Sequence, residues 1–116
     1  MISVVDDDSS ICRMLSRVIA SAGIDVAAFN SAEEFLQSGR LHESACLILD
    51  VDLPGMSGID LQRQLNDSGK DIPIIFISGN QSAPSRDNAL RAGARDFFFK
   101  PFSIAALLAT IQSIGL

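Results

Sequence analysis

Apolar residues in this chain fall into two alternating rhythms. Short runs rich in Ile, Val, Leu and Phe occupy 2–5, 25–29, 46–49, 74–77 and 97–99, and the longer stretches between them repeat apolar residues every three or four positions. The first rhythm is that of strands and the second that of amphipathic helices; their alternation predicts a parallel sheet covered by helices. Most of the short runs are too uniformly apolar to leave a face in water, as strands inside such a sheet would be. The expected architecture is α/β, a doubly wound sheet of five strands with five helices.

The helices carry their own punctuation. The first is expected over 10–22, with Ile11, Leu15, Val18, Ile19 and Ala22 on one face and Gly23 as its stop. The second starts at Ser31, where SAEE sets Glu34 three residues on as a capping box, and ends before Gly39. The third covers 58–66, the fourth 84–92 before Gly93, and the fifth 103–114 with Ile104, Leu107, Leu108 and Ile111 facing inward. No repeat, low-complexity tract or linker interrupts the series, so the 116 residues are read as one domain, 1–116.

Strands of a parallel sheet all point one way, so residues just past their ends gather along one rim, where such folds place ligands. The unusual polar residues all lie there. The first strand runs into Asp6, Asp7 and Asp8, the third into Asp50 and Asp52, the fourth into Ser78, Gly79 and Asn80, and the fifth into Lys100 and Pro101. Crowded carboxylates repel, by ~4 kcal/mol for two charges ~4 Å apart near a protein surface, and a cation relieves them. With oxygen ligands and no His or Cys cluster, the fitting ion is Mg²⁺, which keeps some waters and leaves positions for a phosphate oxygen. Lys100 can hold a second phosphate oxygen, Ser78 supplies a hydroxyl, and Gly79 leaves space for approach. An aspartate can itself be the nucleophile and form an acyl phosphate, so the rim reads as a phosphoryl site.

Charge and composition narrow the alternatives. A net charge of −5 and an isoelectric point near 4.6, without a cluster of Lys or Arg, argue against nucleic-acid binding by this chain. Cys12 and Cys46 lie in apolar segments without metal-ligand spacing, so free buried thiols of a reducing cytosol are expected. No run approaches the ~20 apolar residues that span a bilayer, and no basic-then-apolar leader opens the chain, so a soluble cytoplasmic protein is expected.

The stretches VVDDD at 4–8, LILDVDLPGMSG at 47–58, IIFISGN at 74–80 and FKPF at 99–102 together resemble the receiver domain of two-component response regulators. The match runs the length of the chain in order. The ISVVDDD opening, SAEEFL and the SGN turn are most similar to receivers joined to helix-turn-helix transcription regulators; no such output domain is in this sequence. The resemblance implies a flavodoxin-like fold of strand order 2-1-3-4-5. It implies that Asp50 accepts a phosphoryl group from a sensor histidine kinase and that the domain assists its own phosphorylation and dephosphorylation without being a conventional enzyme. It implies Mg²⁺ on Asp7 and Asp50 with the Asp52 backbone carbonyl, Asp6 acting through water, Lys100 on the phosphoryl group, and Ser78 as a hydroxyl that moves toward it. Phe97 falls at the rotating aromatic of the family, and Lys100–Pro101 at its cis peptide. The surface of the fourth helix, fifth strand and fifth helix would then change, controlling an output such as transcription or forming a homodimer. Two positions depart from the common pattern: Ser78 is often Thr and Phe97 often Tyr, so the hydroxyl donor survives while the aromatic loses its hydroxyl.

Plainer readings stand beside these. Asp6 to Asp8 could cap the first helix, which fully explains Asp8. The Asp52 side chain could simply face solvent, Lys100 and Ser78 could be ordinary loop residues, Phe98 is read as a buried strand residue, and His42 in SGRLHES as solvent-exposed. A haloacid-dehalogenase-type phosphatase would share Asp, Ser, Lys and Mg²⁺, but its additional acidic pair follows the lysine, whereas here the pair precedes Asp50, and nothing resembles a substrate cap. An unphosphorylated interaction scaffold would lack the acidic pair, Asp50 or Lys100, and all are present.

Overall fold

A computed structural model describes residues 1–79 and 83–115. Chain order gives β1 (Ile2–Val5), α1 (Ser9–Ser21), β2 (Val26–Phe29), α2 (Ala32–Gln37), a 3₁₀ turn (Arg40–Glu43), β3 (Cys46–Asp50), α3 (Gly58–Asp67), β4 (Ile74–Ser78), α4 (Ala83–Arg91), β5 (Asp96–Phe99) and α5 (Ile104–Ile114). The strands form one parallel sheet in the order β2-β1-β3-β4-β5. Fold class and strand order are those expected; Asn80 lies outside the described residues. No helix among the described residues is long and apolar enough to cross a membrane.

Because side chains alternate across a strand, the central apolar runs feed two cores at once. Ile2, Val4, Cys46, Ile48, Ile75 and Ile77 point toward α1 and α5. Val5, Leu47, Leu49, Ile74 and Phe76 point the other way, toward α2, α3 and α4. That is why β3 and β4 read as uninterrupted apolar runs up to Asp50 and Ser78, and β1 as a run broken only by the buried Ser3, while the edge strand β2 leaves Ala28 exposed.

Helix α1 differs from expectation in which side it buries. Cys12, Leu15 and Ile19 form its buried face, Ile11 and Val18 are half-buried, and Ala22 is exposed because it is already the C-cap. The rotation seats Cys12 under the end of β1, where its thiol donates to the Asp6 carbonyl at 3.2 Å. In α5, Leu107 and Ile111 are buried while Ile104 and Leu108 are only partly so.

Side-chain caps mark where α1, α2 and α3 begin. Asp8 caps α1, its Oδ1 accepting from Ser10 N at 2.8 Å. At α2 the Ser31 half of the expected capping box is formed, Ser31 Oγ accepting from Glu34 N at 3.0 Å. The reciprocal box occurs instead at α3. There Asp60 N donates to Ser57 Oγ at 3.1 Å and Ser57 N donates to Asp60 Oδ2 at 3.3 Å. Two amide side chains of α3 reach α4: Gln62 Nε2 donates to the Ala89 carbonyl at 3.1 Å and Asn66 Nδ2 to the Ala92 carbonyl at 2.9 Å.

Candidate functional site

The carboxyl ends of β1, β3, β4 and β5 bring Asp6, Asp7, Asp50, Ser78 and Lys100 to one rim. Register does this: Val5 pairs with Leu49, Asp50 with Ile77, and Ser78 with Phe99, so the residue that follows each apolar run arrives at the same level.

Asp6, Asp7 and Asp50 each present a carboxylate oxygen within 4.8 Å of the others. Asp6 and Asp50 are buried and Asp7 is exposed, so the cluster opens to solvent on the Asp7 side. Lys100 Nζ stands 3.0 Å from Asp6 Oδ2 and 3.5 Å from Asp50 Oδ2. Backbone donors hold the remaining oxygens: Asp8 N donates to Asp6 Oδ1 at 2.9 Å and Asp52 N to Asp50 Oδ1 at 3.2 Å. Asp6 Oδ2 is buried and accepts no well-angled hydrogen bond among the described residues, leaving the Lys100 ammonium as its ion partner.

The electrostatics follow from this crowding. Burial first, and then the neighbouring Asp6 charge, push the Asp50 carboxyl up to about 6. The Asp52 N–H and the Lys100 charge oppose the rise without cancelling it. For Lys100, burial works to lower the pKa, but the bond to Asp6 and the charges of Asp6 and Asp50 outweigh it and leave it raised, so the amine stays protonated. Three hard oxygen donors within 4.8 Å of one another, two of them on buried carboxylates, form a set that suits a divalent cation such as Mg²⁺.

Other residues singled out in the sequence are placed as follows. The Asp52 carboxylate is not in the cluster; although exposed, it does not merely face solvent, because its Oδ2 accepts the Ser78 hydroxyl at 3.0 Å. The Lys100–Pro101 peptide is cis. Phe97 is buried with its ring 5.9 Å from that of Phe76 and 5.3 Å from that of Phe99, so it already points inward. Phe98 lies on the opposite face, half-buried rather than buried, 6.5 Å from Phe102. His42 is exposed, and Cys12 and Cys46 are free and buried.

Two positioning residues were not legible in the chain. Glu33 of α2 crosses to the loop after β3, its Oε2 accepting from Met56 N at 3.0 Å, and that bond holds its carboxyl below the usual range. Gly58 opens α3 so close to β3 that a Cβ would press on the Asp50 carbonyl oxygen and on Val51 Cα. The Gly58 signal lay in the PGMSG stretch, where Gly after Ser marks a close backbone approach as readily as a turn. The Glu33 contact joins residues far apart in sequence and had no local signal.

The family model for the response regulator receiver domain matches residues 2–112. The response regulator protein TodT of Pseudomonas putida is 46% identical over 113 residues, covering 97% of this chain and 50% of that protein. The transcriptional regulatory protein FixJ of Azorhizobium caulinodans is 34% identical over 112 residues, covering 97% of this chain and 53% of that protein. The solved structure of the response regulator StyR superposes with a TM-score of 0.89 at 43% identity, covering 97% of this chain and 57% of that one. The chain thus spans about half the length of the curated relatives it matches.

Proposed function

Since this chain belongs to the response regulator receiver domain family, we propose that it takes a phosphoryl group from the histidine of a sensor kinase onto Asp50. In that step an Asp50 carboxylate oxygen attacks phosphorus, the P–N bond to the imidazole breaks, and its electron pair stays on the nitrogen, which takes a proton. Asp50 suits the role because it closes β3, is buried beside the Asp6 carboxylate and lies 3.5 Å from the Lys100 ammonium, whereas Asp6, also buried, is held closer by that ammonium at 3.0 Å. That convergence of Asp50, Asp6, Asp7 and Lys100 is the observation that carries the reading.

Asp7 and Asp50 would hold Mg²⁺, with the Asp52 carbonyl as a further ligand and Asp6 acting through water. When bound, the ion supplies positive charge that offsets the negative charge of the transferred group. Lys100 holds a phosphoryl oxygen once that group displaces part of its contact with Asp50, and Ser78 offers its hydroxyl to another.

The output follows from position. Ser78 ends β4 and Lys100 follows β5, so a group drawing on both acts on the surface of α4, β5 and α5. That surface would then engage a second copy or an output segment, and the transcriptional regulators among the relatives favour control of transcription. Because Phe97 is already inward, the change starts from Ser78 and the β4–α4 connection rather than from an outward ring. A haloacid-dehalogenase-type phosphatase is disfavoured by chain order, with the acidic pair ahead of Asp50.

Incubation with acetyl phosphate and Mg²⁺ should add one phosphoryl mass to the wild type and none to Asp50→Asn. A full gain of mass by Asp50→Asn overturns the assignment.

A further inference from the structure

Asp52 touches the site twice. Its N–H donates to Asp50 Oδ1 at 3.2 Å, and its exposed carboxylate accepts the hydroxyl of the buried Ser78 at 3.0 Å. A serine hydroxyl has one hydrogen to donate, so while it points at Asp52 it cannot point at a group on Asp50. From this geometry we infer that Asp52 is a positioning residue, a latch that keeps the Ser78 hydroxyl turned away from Asp50 until a phosphoryl group there competes for it.

The inference rests on Asp50 being the acceptor and adds a resting-state competitor for the hydroxyl. Two anionic acceptors contend for one donor: the Asp52 carboxylate at rest and a phosphoryl oxygen after transfer. A hydrogen bond to a charged acceptor is stronger than one between neutral groups, so releasing the latch opposes the activated arrangement. The latch ties the loop after β3 to the end of β4, and it therefore holds together the two segments that must reorganise around a modified Asp50. An acid at 52 also repels any anion arriving at Asp50, and the test separates that general repulsion from the hydroxyl contact.

Binding of beryllofluoride, a phosphoryl mimic, is measured in Mg²⁺ for the wild type, Asp52→Ala, Ser78→Ala and the double variant. Asp52→Ala is expected to tighten binding about tenfold where Ser78 is present, and less than about twofold where Ser78 is Ala. Asp52→Asn, which keeps an acceptor oxygen in the same shape and removes the charge, should fall between wild type and Asp52→Ala. Equal tightening in both backgrounds would reduce Asp52 to a repelling charge and overturn the latch, as would no tightening in the presence of Ser78. If the wild type itself binds no beryllofluoride, the phospho-acceptor reading fails and the latch with it; binding without coupling between the two positions removes the latch alone.

Discussion

The Lys100 ammonium sits nearer to Asp6, at 3.0 Å, than to Asp50, at 3.5 Å. Its charge is therefore shared unevenly, and Asp50, the more weakly paired acid, keeps a raised pKa despite a lysine beside it. Lys100→Met should drive the Asp50 carboxyl higher still. Carboxyl carbon shifts followed by NMR against pH, in chelator, measure this, and an unchanged or lowered Asp50 midpoint would contradict the arrangement.

The same shift has a consequence for stability without metal. An Asp50 carboxyl that holds its proton up to about 6 in the fold, against an ordinary value of 3.8, favours folding fully below 3.8 and loses that contribution as pH rises through about 6. Asp50→Asn removes the charge that opposes folding, so relative to wild type it should gain stability across that window and plateau above it, by ~3 kcal/mol. Urea unfolding at several pH values in chelator checks the sign; a gain largest in acid would be the wrong one.

How far these features were readable from the chain depends on their range. The rim and the convergence of Asp6, Asp7, Asp50 and Lys100 are legible because each comes from a short apolar run ending in a charge, and a parallel sheet brings such ends together; strand order is carried by the family resemblance, not by that pattern. The inward face of α1 lies part of a turn from the one expected, since Cys12 and Ile11 are both apolar and only packing at the end of β1 selects between them. The Ser78–Asp52 and Glu33–Met56 contacts join a strand end and a helix to the loop after β3, and no periodicity encodes a side chain that crosses from one element to a distant loop.

Gly58→Ala should destabilise the domain by about 2 kcal/mol. The added methyl group meets backbone atoms of Asp50 and Val51, which cannot rotate aside like a side chain, so α3 must move off β3. Denaturant melts give the magnitude, and a neutral effect would show that the helix yields at no cost.

Glu33→Gln should weaken the hold on the loop after β3. The charged acceptor for the Met56 N–H is lost, and amide hydrogen exchange at Met56 is expected to quicken while that of the β3 core stays slow. Unaltered exchange at Met56 would mean that other contacts fix the loop.

Beryllofluoride in Mg²⁺ should move amide resonances along α4, β5 and α5 as well as those beside Asp7 and Asp50. Heteronuclear NMR spectra with and without the mimic decide this; changes limited to the two acidic loops, with α4 and Phe97 unmoved, would sink the proposed output surface.

Among the described residues, the Gln62 and Asn66 amides hold the carboxyl end of α4 and the turn after it, through the carbonyls of Ala89 and Ala92. A rod pinned at one end does not slide when pushed; it swings, and travel grows with distance from the pin. A push where α4 follows β4 would thus move the amino end of the helix most and the Gly93 turn least, with the two α3 amides as the pivot of that swing.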